Sequence, residues 1–258
     1  MVVQTTSQHQ LAKQLHVVVT GGASGIGQAQ VMAFLEQGHC VLAVDCQQAD
    51  WWEELAQQYN TAFATLIGDV SEQATAERVG NWVQTHWQTV DVLCNTAGIL
   101  DDFLPLDQMT ISLWERVLAV NVTGMMQVTK GLLPLLLQAP AARIINMASI
   151  ASLTAGGGGV AYTTAKHAVA GFTKQLAYDY AKTGLRVNAI APGAIQTAMT
   201  AADFEGEATM AQWVADQVPT QRWAQASEVA QLTLFLASDA ADYMQGNVIP
   251  LDGGWLIR

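Results

Sequence analysis

The feature that most constrains the fold of this chain is an alternation. Short β-branched runs are spaced by longer stretches of helical periodicity from one end to the other. The runs fall at 16–20, 40–45, 62–68, 90–95, 143–147, 186–190 and 248–251, and helical patterns occupy, among other stretches, 25–37, 72–87, 112–137, 161–181 and 227–237. Strands separated by helices are joined by right-handed crossovers, which gives a parallel sheet with helices on both faces. The runs are apolar nearly throughout, as strands covered on both sides require. The expected fold class is therefore α/β: one doubly wound domain over 11–258 with a seven-stranded parallel sheet, preceded by a flexible tail at 1–10.

Bulk chemistry excludes several functions. Hydrophobic residues make up 51% of the 258 and charged residues 13%, so a large core or a subunit interface must absorb them. No apolar run approaches the ~18–20 residues that span a bilayer, and Met1 to Gln14 lacks the layout of a signal peptide. No membrane association is expected, and a cytoplasmic location is. The formal charge of −11 repels phosphate backbones, so nucleic acid is not an expected partner. Acidic carrier proteins are disfavoured on the same ground unless a local patch around Lys130 and Arg143 counters it. Cys40, Cys46 and Cys94 show no metal or redox spacing; each lies in or beside a strand-like run and is read as a buried free thiol. The five histidines have no ligand spacing, so no metal is expected. His167 points about 100° away from Lys166 on a helix, which suits a packed or capped ring.

The first strand runs into Gly21-Gly22-Ala23-Ser24-Gly25-Ile26-Gly27 and then a helix. Glycines there let the backbone approach a pyrophosphate, which the unpaired N–H groups of the helix start stabilise. This places a dinucleotide in a Rossmann-type fold, although the spacing is G-x-x-x-G-x-G rather than G-x-G-x-x-G. Asp45 closes the second strand, where a carboxylate accepts from both adenosine ribose hydroxyls and repels a 2′-phosphate; its plainer role is a turn at a strand end. Neither Ser24 nor Cys46 supplies a basic partner for such a phosphate, so NAD is expected over NADP. Asp69 and Val70 either cap the adenine or form a turn before a Ser71 helix cap.

Tyr162 and Lys166 stand four apart on a helix, hence on one face, where an ammonium can stabilise a phenolate. Tyr178 and Lys182 repeat that spacing. Ser149, thirteen residues before Tyr162, separates the two pairs, because Ala165 holds the matching place before Tyr178. Tyr162 is thus the candidate acid–base residue, and Tyr178 an ordinary surface residue.

Thr20-Gly21-x-x-x-Gly25-Ile26-Gly27, Asn95-Thr96-Ala97-Gly98, Asn121, Ser149, Tyr162-x-x-x-Lys166, Pro192-Gly193 and Asp252-Gly253-Gly254 together resemble the short-chain dehydrogenases/reductases of the compact single-domain type. The resemblance runs from about Leu11 to Trp255 and accounts for the unusual glycine spacing. It implies a catalytic tetrad of Asn121, Ser149, Tyr162 and Lys166. Tyr162 would exchange a proton with the substrate oxygen, which Ser149 would hydrogen-bond, while Lys166 would depress the tyrosine pKa and hold the nicotinamide ribose. Asn121 would fix a helix irregularity and a water. The resemblance further implies that Asn95, Ala97 and Gly98 support the ribose and the sheet end, and that Pro192, Gly193, Ile195 and Thr197 bracket the nicotinamide. Asn121 and Ser149 each also have a plain structural reading, as a satisfied helix amide and a strand-end cap. Where the family often has two asparagines this chain has Asn95-Thr96; the threonine keeps a hydroxyl capable of bonding to backbone, so a small effect on stability rather than lost activity is expected.

Specificity is expected in three places. Gly156 to Gly159 form a loop that is either mobile or pressed against another segment. Residues 196–217 form a lid with Phe204, Met210 and Trp213 as apolar walls, or Trp213 simply packs a surface helix. Leu100, Ala151, Leu153, Ala194 and Met199 complete a pocket for a mostly uncharged small-molecule alcohol or ketone. The expected function is NAD(H)-dependent interconversion of a secondary alcohol and a ketone. A 3-oxoacyl-thioester reductase is the alternative within the family, and a non-catalytic dinucleotide-binding sensor or scaffold the remote one. A homotetramer, or failing that a dimer, follows from the resemblance.

Overall fold

The computed structural model describes residues 13–257, so the expected tail at 1–10 lies outside them. Strands β1 (His16–Thr20), β2 (Cys40–Asp45), β3 (Phe63–Ile67), β4 (Val92–Asn95), β5 (Arg143–Met147), β6 (Arg186–Pro192) and β9 (Val248–Leu251) form one sheet in the order β3-β2-β1-β4-β5-β6-β9. Every pairing is parallel. The order reverses between β1 and β4, where crossovers leave in opposite directions and open a crevice at the strands' carboxyl ends.

Period-two alternation feeds both faces. Val17 and Val19 of β1 pack with Val31 and Phe34 of α1 (Gly25–Glu36), while Val18 packs with Val79 and Val83 of α3 (Gln73–His86). On the first face lie α1, α2 (Trp51–Tyr59) and α8 (Ala226–Ala237); on the second, α3 and α5 (Met125–Leu136). The site helix α6 (Val160–Tyr180) packs on β6, beside α4 (Ile111–Leu118).

Four departures from expectation have physical causes. The helix expected at 112–137 is α4 and α5 joined by a π-helical turn, Ala119–Gly124. Two further elements were not anticipated: α2, with only Trp52 and Leu55 buried and so too few apolar repeats to read, and a two-stranded ribbon of β7 (Ile195–Gln196) and β8 (Ala224–Gln225). Only Cys94 is a buried thiol; Cys40 is half-buried and Cys46 is exposed at the end of β2. Arg143 contributes to no surface patch, because it is buried at the start of β5 and bonded to Asp242 at 3.2 Å. Among the described residues no helix is long and apolar enough to cross a membrane, and no three His, Cys, Asp or Glu side chains are grouped to hold a metal.

Candidate active site

The crevice is floored by the turns after β1 and β4. Thr20 Oγ1 accepts from the N–H groups of Thr96 (3.0 Å) and Ala97 (3.2 Å), which ties the two turns together. The turn after β1 needs its glycines. Gly21 has φ +69°, and a Cβ there would lie 2.8 Å from Ala97 Cα, while one on Gly27 would strike the Gly21 carbonyl. Ser24 is the N-cap of α1, yet its hydroxyl makes no capping bond and the first turn has no acid. No side chain therefore caps the first N–H groups of α1. Ile26 packs into the core behind the turn, and Gly25 faces Thr197 across the crevice.

Asp45 stands beside this turn. Its Oδ2 accepts from Ala23 N–H and its Oδ1 from Gln47 N–H, both at 3.0 Å. At Asp69 the turn reading describes one oxygen: Oδ1 accepts from both the N–H (2.8 Å) and the hydroxyl (2.7 Å) of Ser71. Ser71 is not the helix cap, however, because Glu72 caps α3. Val70 is buried against Gly124, whose added Cβ would lie 2.9 Å from the Val70 carbonyl carbon.

Asn95 is a strut at the sheet end. Its Nδ2 donates to Thr129 Oγ1 and Asn146 Oδ1, each at 2.9 Å, and Asn146 passes on to Thr173. The Thr96 hydroxyl donates to a side chain, the buried Gln30 Oε1, at 2.6 Å, and the Gln30 amide donates to Thr233. Long sequence separation hid that partner.

The tetrad expected from the sequence converges on the β4 and β5 ends. Asn121 lies in the π-helical turn and clamps the backbone of Ile99 through the peptides on both sides of it: its Oδ1 accepts from Ile99 N–H at 2.8 Å and its Nδ2 donates to Ile99 O at 2.9 Å. Lys166 Nζ donates to Met147 O at 2.8 Å and lies 5.3 Å from the centre of the Tyr162 ring. A Cβ on Gly98 would sit 3.6 Å from that Nζ and 3.2 Å from Asn121 Oδ1, so the Gly98 backbone closes over both. Ser149 Oγ accepts from Ala151 N–H at 3.1 Å, and its hydroxyl acts on the Tyr162 phenol, favouring the phenolate.

Electrostatics here differ from the expectation. Burial pushes the Tyr162 phenol up to about 12; the Ser149 hydroxyl opposes this and the Asp101 charge adds to it. Burial also pulls Lys166 down to about 8. Lysine was expected to depress the tyrosine, but desolvation disfavours both charged forms and outweighs their attraction. The phenol is thus a protonated donor at neutral pH.

Three of the four loop glycines press against other segments, while a Cβ on Gly156 would meet open space. Added Cβ atoms would lie 3.2 Å from Ala151 Cβ at Gly157, 2.5 Å from the Tyr162 ring at Gly158 and 2.6 Å from Asp101 Oδ2 at Gly159. Asp101 was missed at the sequence level. It is fully buried, and it accepts from Gly159 N–H and Tyr162 N–H, both at 2.8 Å. Nothing local could reveal it, since its partners lie 58 and 61 residues away.

On the opposite side, Pro192 ends β6, Gly193 N–H donates to Leu251 O, and Ile195 is buried. Ala194 O accepts from Ala224 N–H, and Thr197 starts the turn Ala198–Phe204 with a capping box to Thr200. The pocket expected from sequence is only partly assembled. Leu100 and Ala194 are half-buried, but Ala151 is fully buried beneath Gly157 and backs the site rather than lining it. Leu153, Met199, Met210 and Trp213 are exposed, and Phe204 packs on Trp223 at 4.9 Å between ring centres. Trp223 Nε1 in turn donates to Ala211 O of α7 (Thr209–Gln217) at 2.8 Å. Tyr178 is 81% exposed and Lys182 lies beyond the end of α6, so the second pair is surface. His167 bonds to Thr163 O through Nδ1 at 2.9 Å.

A family model described as enoyl-(acyl carrier protein) reductase matches residues 21–256. The chain is 39% identical to 3β-hydroxysteroid dehydrogenase 2 of Eggerthella lenta over 92% of its own length and 93% of that protein. It is 34% identical to a 3-oxoacyl-[acyl-carrier-protein] reductase of Thermotoga maritima, covering 93% and 97% of the two chains. A gluconate 5-dehydrogenase of Burkholderia cenocepacia, solved with NADP and tartrate, superposes with a TM-score of 0.88 at 26% identity, covering 96% and 98%. A doubly wound sheet with these relatives defines an NAD(P)-dependent oxidoreductase that interconverts an alcohol and a ketone. The chain belongs to the short-chain dehydrogenases/reductases.

Proposed function

We propose that this enzyme is an NAD(H)-dependent dehydrogenase/reductase of a secondary alcohol or ketone, with Tyr162 as its proton donor and acceptor. The observation that carries this reading is the buried Tyr162 ring with the Lys166 ammonium 5.3 Å from its centre and the Ser149 hydroxyl acting on its phenol. The uncapped start of α1, the close approach of Gly21 and Gly27, and the open face beside Asp45 fit a dinucleotide. Gly21, Ser24, Gly25, Ile26 and Gly27 would hold its pyrophosphate, Asp45 its adenosine ribose, and Asp69 with Val70 its adenine. Lys166, Ala97 and Gly98 would hold the second ribose, with Pro192, Gly193, Ile195 and Thr197 beside the nicotinamide. When bound, that ring supplies or accepts the hydride.

The chain's own work is proton transfer and orientation. In reduction the Tyr162 O–H bond breaks toward the substrate oxygen, which becomes a hydroxyl, and a phenolate remains. Ser149 donates to the oxygen as charge develops on it, and Lys166 stabilises the phenolate. Asn121 holds the Ile99 backbone and so the wall beside Lys166. Leu100, Ala194, Leu153, Met199 and Trp213 would bound a largely uncharged substrate beneath a lid at 196–217. A single domain, a homotetramer and a cytoplasmic location complete the reading.

Asp45 supports NADH, since a carboxylate there repels a 2′-phosphate and no basic side chain follows it. The name of the Thermotoga relative favours acyl thioesters as the second reading. Burial of Arg143 removes the basic patch that an acidic carrier would use, which weighs against it. One experiment tests the proposal: a panel of ketones, sugars, steroids and acyl thioesters assayed with NADH and NADPH, with Tyr162→Phe and Tyr178→Phe alongside. Turnover is expected with NADH and little with NADPH; comparable kcat/KM for the two would remove the role given to Asp45. Tyr162→Phe is expected to lose about 10²–10⁴-fold in kcat with NADH binding unchanged, and Tyr178→Phe to lose nothing. Absence of turnover across the panel, with tight NADH binding, would favour a sensor.

A further inference from the structure

We propose that Asp101 is the positioning residue for Tyr162: its carboxylate caps α6 from outside the helix and fixes the height and direction of the phenol. The inference rests on the reading of Tyr162 as proton donor and goes beyond it, because Asp101 touches neither substrate nor reacting atoms.

The start of α6 lacks a cap of its own. Its N-cap is Gly159, which has no side chain, and the first turn holds no acid. The four leading N–H groups of a helix need partners, and a buried start without them is costly. Asp101 supplies two, one oxygen on Gly159 N–H and the other on Tyr162 N–H. The second of these is the amide of the tyrosine itself. A carboxylate at a helix start also lies in the favourable field of the helix dipole.

Three observations make this a built contact. Asp101 is 0% exposed, and within its surroundings the amides of α6 are its closest partners. Gly159 admits it, because any larger residue there would place its Cβ 2.6 Å from Oδ2. The two residues that follow, Asp102 and Phe103, have φ +58° and +56°, left-handed values that non-glycine side chains rarely adopt. Asp101 Oδ1 also accepts from Phe103 N–H at 3.4 Å, which ties this turn to the same carboxylate. The four-glycine loop packs on the same point, with Gly158 against the Tyr162 ring. Asp101 therefore joins the turn after β4, the glycine loop and the catalytic helix into one unit. Its charge faces the phenol as well, and raises its pKa.

The test compares Asp101→Asn and Gly159→Ala with wild type and Tyr162→Phe. The asparagine has one acceptor oxygen and can hold one of the two amides; the alanine methyl pushes the carboxylate away from the other side. Both are expected to lower kcat about ten- to a hundredfold while NADH binding and the far-ultraviolet circular dichroism stay as in wild type. In Asp101→Asn the lost charge also lowers the tyrosine pKa, so the alkaline limb of ketone reduction, where the donor loses its proton, moves to lower pH. A purely structural cap would leave that limb in place. Wild-type kcat in both variants overturns the proposal, as does a fall in kcat in Asp101→Asn with its alkaline limb unmoved. If Asp101→Asn does not fold, Gly159→Ala, which keeps the charge, decides on kcat alone. An active Tyr162→Phe would remove the tyrosine assignment and this one together, whereas an inactive Tyr162→Phe beside a normal Asp101→Asn removes this one only.

Discussion

Gln30 is a fully buried amide in an otherwise apolar stretch of α1, and its oxygen is satisfied by one hydroxyl, that of Thr96. An unmatched buried acceptor costs about 1–3 kcal/mol, more than the net worth of the bond that satisfied it. Thr96→Val keeps the shape and removes the donor. It is expected to lower the unfolding free energy by about 1–3 kcal/mol in urea, with kcat unchanged, since Thr96 faces α1 and α8 rather than the phenol. An unmoved midpoint would show that the Thr96–Gln30–Thr233 chain is not stabilising. The same residues mark what a sequence can disclose. Tyr162 and Lys166 were legible because four residues on a helix fix their shared face, and Ser149 because it chooses between two equal spacings. Asp101, Gln30 and the sign of the Tyr162 shift were not, because each depends on burial and on partners that only the closed fold brings together.

Elements were legible where their pattern was long. All seven strands of the main sheet appear within about two residues of their apolar runs, because each run is apolar and bounded by turn residues, even in β9, an edge strand with no buried residue. The π-helical turn was foreseen only through the resemblance, since Asn121 bonding to Ile99 leaves no periodic mark in α4 or α5. Helix surfaces carry the next inference. Ile111 of α4 (72% exposed), Met126 of α5, Leu137 at its end and Tyr178 of α6 stand outward on the helices that flank the site. Apolar side chains exposed on outer helix faces are candidates for burial between subunits. A homotetramer built through these faces is expected by light scattering at micromolar concentration, and Met126→Glu is expected to yield a smaller species. A monomer at that concentration would leave these side chains exposed and sink the tetramer.

At the scale of the whole molecule, the site draws on the stability of the fold. Lys166 is buried, its ammonium held by one carbonyl and its pKa lowered from 10.5 to about 8. Below about 8 the lysine is charged in both folded and unfolded chains, and the folded protein bears the full cost of burying it, about 3 kcal/mol. Between about 8 and 10.5 the unfolded chain holds the proton and the folded one does not, so the free energy of unfolding rises with pH across that window. Tyr162 acts in the opposite sense and later: its pKa is raised from 10 to about 12, so the folded state keeps a proton that the unfolded one sheds, and stability falls above pH 10. Lys166→Met removes the first effect and leaves the second. It also strands the Met147 carbonyl, at a cost of about 1–3 kcal/mol, so the net gain at pH 7 is of order 0–2 kcal/mol. The variant is therefore expected to be inactive yet at least as stable as wild type at pH 7, in urea denaturation at one fixed protein concentration. The difference shrinks as pH rises from 8 and reverses by about 10, where the wild-type lysine is neutral in the fold and still bonded to Met147 O. A wild type already the more stable at pH 7 would mean that Lys166 is better solvated than its burial implies, and that the phenol–ammonium pair is not held against the grain of the fold.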